Sequence, residues 1–211
     1  MKVNYQLMLD KEIERIVADG TMPKLLLHSC CAPCSSYVLE YLSQHFAITV
    51  LYYNPNISPA TEFEKRAAEQ ERLVSSIPAL HPISYLSGRY DPSEFAAIAK
   101  GKEDLPEGGE RCTECYRLRL EETAKIAKEM GFDYFTTTLS ISPLKDAQRL
   151  NTIGGELAEE YGVAYLYSDF KKREGYKRSI QLSAEYDLYR QDYCGCIYSK
   201  RDAENRKKLQ K

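Results

Sequence analysis

Residues 24–36 read Lys-Leu-Leu-Leu-His-Ser-Cys-Cys-Ala-Pro-Cys-Ser-Ser. The unbroken apolar run from Leu25 to Leu27 suits a parallel strand buried on both faces. Cys30, Cys31 and Cys34 follow at once, and residues 35–43 then carry Val38, Leu39 and Leu42 at helical spacing. The stretch is therefore a strand, a turn bearing three thiols, and a helix.

The same alternation recurs on both sides. An amphipathic helix is predicted over 5–17. Residues 46–53, with β-branched Ile48, Thr49 and Val50, read as a second strand that ends at Asn54-Pro55-Asn56. A helix over 61–77 leads to a third strand at 83–86, and Asp91-Pro92 opens a helix to about residue 100. Residues 101–109 read as a flexible polar loop. A helix over 116–130 stops at Gly131, and a strand follows at 134–139. A helix over 146–161 stops at Gly162, and the last strand spans 163–167. Short helices near 180–188 and 200–208 complete the chain. This order predicts an α/β fold, a single domain over 1–211 whose mostly parallel sheet is covered by helices. A helix at about 5–18 precedes the sheet and a helical tail at about 200–211 follows it. Ligands of such sheets sit beyond the carboxyl ends of the strands. The turns at 29–35, 54–60, 88–91, 140–145 and 168–172 would share that edge.

The seven cysteines form three groups: Cys30-Cys31-x-x-Cys34, Cys112-x-x-Cys115 and Cys194-x-Cys196. A disulfide framework suits small secreted domains, whereas 211 residues can build a core of their own. The odd count leaves one thiol without a partner. Asp10, Glu12 and Glu14 interrupt the apolar run a secretory signal would need, and no stretch approaches a membrane span. The chain is expected in the cytoplasm, with its thiols reduced and available to metal.

Four thiolates hold a [4Fe–4S] cluster, often with a C-x-x-C step such as Cys112 to Cys115. Seven thiols exceed that need and imply a second function, either another metal or a redox dithiol. Structural zinc is the inorganic competitor. It fits less well, because these groups begin helices and include a vicinal pair. Side chains of adjacent residues point to opposite faces of an extended chain, so Cys30 and Cys31 are expected to diverge. The turn after the first strand lacks the glycine-rich loop that cradles phosphate, which argues against nucleotide hydrolysis.

With 43% hydrophobic and 28% charged residues the composition is that of a globular enzyme. A net charge of −2 argues against indiscriminate nucleic-acid binding. Basic patches remain at Lys171-Lys172-Arg173 with Lys177 and Arg178, and along Lys200 to Lys208. By charge alone they read as solvated helix faces.

HSCCAPCSS (28–36), YYNPNI (52–57), ERCTECYRLRLEETAKIAKEMGFDYFTTTLSISPLKD (110–146) and YRQDYCGCIYS (189–199) together resemble the QueH type of epoxyqueuosine reductase. The resemblance runs from about Leu25 to Ser199. It implies a Rossmann-like sheet of the adenine nucleotide alpha-hydrolase architecture without the phosphate loop. It also implies a [4Fe–4S] cluster with a nearby mononuclear iron. The implied reaction is the last step of queuosine biosynthesis, reduction of epoxyqueuosine to queuosine at the wobble position of the tRNA anticodon. By position, Cys30, Cys31, Cys112 and Cys115 match the cluster ligands. Cys194 and Cys196 match a redox-active disulfide, although their thiols could instead bind the second iron. Cys34 stands where some relatives carry Asp, and either side chain could bind iron.

That resemblance gives weight to the basic residues beside the active edge. Lys145, Arg149, Lys171, Lys172, Arg173 and Arg178 become candidates for tRNA contact. Tyr52, Tyr53, Tyr167 and Tyr176 are candidates for stacking on bases, and Asp192 and Tyr193 for proton delivery. An electron donor would be a further partner, and no membrane is implied. Two readings of other classes stand beside this one, a zinc-stabilised RNA-binding module and a thiol-based tRNA sulfurtransferase.

Overall fold

The computed structural model describes residues 3–209. Five strands form one all-parallel sheet: β1 (Lys24–His28), β2 (Ala47–Tyr52), β3 (Ile83–Ser87), β4 (Tyr134–Thr137) and β5 (Ala164–Tyr165). Their spatial order is β3-β2-β1-β4-β5. The helices are α1 (Tyr5–Ala18), α2 (Ala32–Leu42), α3 (Ala60–Ser76), α4 (Pro92–Ala99), α5 (Glu110–Glu129), α6 (Ala147–Tyr161), α7 (Gly175–Glu185) and α8 (Ile197–Leu209). No helix among the described residues is long and apolar enough to cross a membrane.

The leucine run of β1 feeds two cores because successive side chains point to opposite faces. Leu25 and Leu27 join Leu9 and Ile13 of α1, Val38 and Leu39 of α2 and Leu73 of α3. Leu26 packs on the other face with Leu120 and Ala124 of α5, Leu150 and Ile153 of α6, and Phe135 of β4. Since β1 pairs with β2 on one side and β4 on the other, the strand order reverses there. The crevice beyond the carboxyl ends of β1 and β4 is where such a sheet binds its ligand.

Several boundaries differ from the sequence reading: α2 begins at Ala32, α7 spans Gly175–Glu185 rather than 180–188, and α8 begins at Ile197. Three further differences have a local reason. The strand expected over 134–139 ends at Thr137, whose hydroxyl accepts the Leu139 amide and starts a 3₁₀ turn over Thr138–Ile141. The strand expected over 163–167 shrinks to Ala164–Tyr165, while the Thr136 hydroxyl takes the Leu166 carbonyl at 2.8 Å. Helix α5 begins at Glu110 rather than at 116, with Gly109 as its N-cap. The preceding loop is pinned rather than loose, because buried Arg111 donates to the carbonyls of Lys102, Glu103 and Leu105. The tail expected to reach 211 is described to Leu209, and Gln210 and Lys211 lie outside the described residues.

Gly154 of α6 faces the Tyr165 ring so closely that an added Cβ would overlap it. Phe135 and Tyr167 hold that ring from either side, at centroid distances of 5.1 and 5.3 Å. Glycine to alanine in a helix ordinarily gains about 1 kcal/mol, but overpacking costs about 1–3 kcal/mol. Gly154→Ala is therefore expected to lower the melting midpoint by a few degrees in thermal denaturation, where an open helical site would raise it.

Candidate metal centre

The turn after β1 is held without glycine, by buried side chains. The Asn54 amide donates to the Ser29 carbonyl at 2.8 Å, and the hydroxyls of Ser29 and Ser35 donate to Gln70 Oε1 at 2.6 and 2.8 Å. Cys31 caps α2 with extended backbone, and its carbonyl accepts from the Ser35 amide. The expected divergence of the vicinal pair does not occur, because the chain leaves its strand before Cys30. The sulfurs of Cys30, Cys31 and Cys34 lie within 4.8 Å of one another, Cys30 and Cys31 at 3.8 Å. Two thiolates on one tetrahedral metal, at metal–sulfur distances of about 2.3 Å, stand about 3.8 Å apart. The three sulfurs are close enough to one another to hold a metal ion.

Cys112 and Cys115 lie in the first turns of α5, and Cys194 and Cys196 in the segment before and at the start of α8. These four line one narrow void. Gly195 allows their approach: its φ is +122°, and a Cβ there would press on Ile57 and Arg66. Ser58 N–H donates to the Gly195 carbonyl at 3.0 Å and Arg66 Nη1 to that of Cys194 at 3.3 Å, strapping the segment to α3. Backbone amides donate to sulfur at two points, Gly108 to Cys112 and Ser199 to Cys196, each at 3.3 Å.

A cavity of about 390 Å³ opens above the first group. Cys30, Cys31, Cys34 and Cys194 line it, so Cys194 belongs to both spaces. Its walls include Leu139, Tyr176 and Tyr193, with Arg190 and Arg206 among the exposed residues around it. Among the described residues neither arginine has a carboxylate within ion-pair distance. All seven cysteines are free thiols.

Four buried cations stand around the sulfurs, Arg66, Arg111, Arg119 and Lys145. Arg66 is paired with Glu62 at 2.7 Å, and Lys145 Nζ with Glu107 at 3.0 Å. Arg119 has only the Cys115 carbonyl, at 3.1 Å from its Nε, and its Nη2 is buried without a partner. Asn56 Oδ1 and Arg111 Nε, which face the same void, are likewise unpartnered. Orphaned polar atoms around four thiols are what an absent polar, anionic group would leave, and the soft donor set fits iron–sulfur or thiolate-bound metal.

The thiols do not titrate alike. Hydrogen bonds from Cys31 and then Cys34 draw the Cys30 thiol well below its ordinary value. The same contacts with Cys30 push Cys31 and Cys34 up, so the first negative charge of the trio resides on Cys30. Burial pushes the Cys115 thiol up to about 12. Burial, reinforced by the Arg119 charge, holds His28 down to about 3, and its Nε2–H donates to the Tyr53 carbonyl. Burial opposes the charge of Lys145, but Cys194, Tyr116 and Glu107 outweigh it and raise its ammonium pKa.

Several expected roles change with position. Lys145 is a buried member of the cavity wall, with its side chain 7% exposed, rather than an exposed side chain. Lys171 is paired with Asp169, Arg173 with Asp10, and Arg178 with Glu40 and Glu185. Arg149 donates to the Gly108 carbonyl and the Thr113 hydroxyl. Of the residues expected to meet tRNA, only Lys172 is exposed without an ion pair. Tyr52 and Tyr53 are fully buried and Tyr167 stacks on Tyr5, which leaves Tyr176 at the cavity. Asp192 lines the cavity as an exposed side chain paired with Lys207, which holds its carboxyl below the usual range. It is therefore ionised at neutral pH and a poor proton donor. Tyr193 is half-buried against Arg66, and burial raises its pKa, so it keeps its proton.

Arg66, Arg111 and Arg119 were not singled out from sequence, since arginine on an amphipathic helix ordinarily faces water. Their signal was spacing: Arg111, Cys115 and Arg119 recur every fourth residue and share one face of α5.

The fold and the thiol-lined crevice define an α/β protein with a candidate metal centre, its cysteine sulfur placed where such sheets bind their ligands. The family model described as Epoxyqueuosine reductase QueH matches residues 25–202. Proteins named Epoxyqueuosine reductase QueH are similar along most of their length. That of Staphylococcus epidermidis is 45% identical over 202 residues, 94% of this chain and 85% of the relative. That of Streptococcus pyogenes is 43% identical over 200 residues, covering 94% and 78%. That of Thermotoga maritima is 34% identical over 184 residues, covering 84% and 91%. The chain belongs to the QueH family of epoxyqueuosine reductases.

In the metal-free folded protein at pH 7, limiting iodoacetamide is expected to label Cys30 before Cys31 and Cys115. Peptide mass mapping over time would read the order, and equal labelling of Cys30 and Cys31 would contradict the charge distribution above.

Proposed function

We propose that this protein reduces epoxyqueuosine to queuosine at the wobble position of tRNA, using a [4Fe–4S] cluster and an adjacent mononuclear iron held by its cysteines. Membership of the QueH family carries the reading. The cavity gives it a place, since about 390 Å³ falls within the range of small-ligand sites and suits one nucleoside splayed from its loop.

Cys30, Cys31, Cys112 and Cys115 are the proposed cluster ligands. The contact of Cys34 with Cys30 and Cys31 supports a second iron beside them. Cys194 and Cys196 either complete that site or cycle as a dithiol. When bound, the metals would supply single electrons and a Lewis acid.

The reaction breaks both C–O bonds of the epoxide, forms a C=C bond, and releases water after uptake of two electrons and two protons. Lys145, kept charged beside Cys194 and fixed by Glu107, presents positive charge and N–H donors at Nζ where the departing oxygen would gather charge, and the two protons come ultimately from solvent. Tyr193 keeps its hydroxyl proton and offers a further hydrogen bond. Leu139 and Ile141 give the cavity apolar wall that keeps water from the site. Arg190 and Arg206, unpaired around the cavity, are the proposed phosphate contacts, with Tyr176 offering a ring to a base. An external donor supplies the electrons, and the free thiols agree with a cytoplasmic setting.

Anaerobically purified protein is expected to be brown, with more iron than sulfide. It should convert epoxyqueuosine-containing tRNA to queuosine with a chemical reductant, read by nucleoside mass spectrometry. A colourless zinc protein, inactive after anaerobic reconstitution, would overturn the reading. Lys145→Met should lower kcat about 100-fold or more with unchanged iron content.

Replacing Arg190 or Arg206 with Ala should instead raise KM. Each should also reduce the slope of log affinity against log salt by about 1, measured by titrating tRNA at several salt concentrations.

A further inference from the structure

Arg119 is 1% exposed, on the face of α5 that carries Cys115. Its one hydrogen bond to protein runs from Nε to the Cys115 carbonyl, and its Nη2 is buried with no acceptor. The other buried arginines have more partners: Arg66 has a carboxylate, and Arg111, also without a carboxylate and with its Nε unpartnered, has three carbonyls on a single nitrogen. Arg119 has no carboxylate within ion-pair distance among the described residues. It lines the narrow void together with Cys112, Cys115, Cys194 and Cys196, and Cys30 of the first group also acts on its charge. A guanidinium cannot discard its proton, and an isolated buried charge is strongly unfavourable. Its counter-charge must therefore come from whatever the thiols hold.

We propose that Arg119 tunes the redox centre, donating its Nη2–H toward the sulfur of the cysteine-held group and stabilising, through its fixed charge, the state that has taken up one electron. The proposal rests on the iron–sulfur reading above and holds for either division of the cysteines, because Arg119 shares a void with two of the groups and its charge reaches the third. Uptake of one electron adds one negative charge, and a permanent cation in a dry site lowers the free energy of that state. The potential of such centres follows net charge, hydrogen bonds to sulfur and solvent exposure. Arg119 acts on the first two. It is a positioning and tuning residue, moving no proton and losing none.

The test compares the wild-type protein with Arg119→Met, Arg119→Gln and Arg119→Lys, all purified anaerobically and assayed for iron and sulfide. The centre is then titrated with dithionite under potentiometric control and followed by electron paramagnetic resonance. Both neutral variants are expected to shift the potential negatively by at least about 59 mV, the equivalent of a tenfold change in a one-electron equilibrium. Arg119→Lys should recover most of that shift. A neutral variant that holds its iron at the wild-type potential overturns the proposal while leaving the reductase reading intact. Wild-type protein without iron and sulfide overturns both. If neither neutral variant retains iron, Arg119→Lys decides. Iron retained there supports the need for a cation, and iron lost there assigns Arg119 to packing.

Discussion

Thiols brought within a few ångströms of one another repel as soon as more than one ionises, and the turn from Ser29 to Cys34 must hold three of them against that repulsion. It does so from underneath. The hydroxyls of Ser29 and Ser35 converge on a single amide oxygen of Gln70, and Asn54 holds the Ser29 carbonyl. The network ties the end of β1 to α2, to α3 and to the turn after β2. Rigid sulfur at this point fixes where a metal can sit, and the reversal of strand order between β1 and β4 leaves the space above it open.

The surrounding charges follow from that arrangement. A protein with a net charge of −2 buries Arg66, Arg119 and Lys145 at one end of its sheet. Each is near cysteine sulfur, and two are only partly offset by carboxylates, in Glu62 and Glu107. The exposed cations expected to meet nucleic acid are mostly paired with neighbouring acids. The cations that stand against the thiols are thus buried ones, with Arg190 and Arg206 left around the cavity.

The sheet was legible because its strands are short apolar or β-branched runs between turn residues, and β1, with three consecutive leucines, allows little else. The cysteine groups were legible because their spacing is far from random. The extent of β4 was not, since the threonines that favour a strand also carry the hydroxyls that end it. The start of α5 was hidden by two glycines that read as a loop and by Arg111, whose part in pinning that loop depends on residues six to nine positions upstream. Spacing puts Arg119 on the face of α5 that carries Cys115, but nothing in its local sequence says that the charged side chain will be buried there without a carboxylate.

The strap from Arg190 to Cys196 crosses from α7 to the narrow void and supplies Cys194 to both spaces. Its partners, Ser58 and Arg66, lie more than a hundred residues earlier in the chain. During synthesis the sheet and the first five thiols emerge well before this segment does. The centre is therefore open while most of the domain is already made, and the last thiols to arrive also form the wall that closes it. Assembly order is written into the topology: Cys30, Cys31 and Cys34 are made before Cys194, the thiol that helps wall the cavity above them.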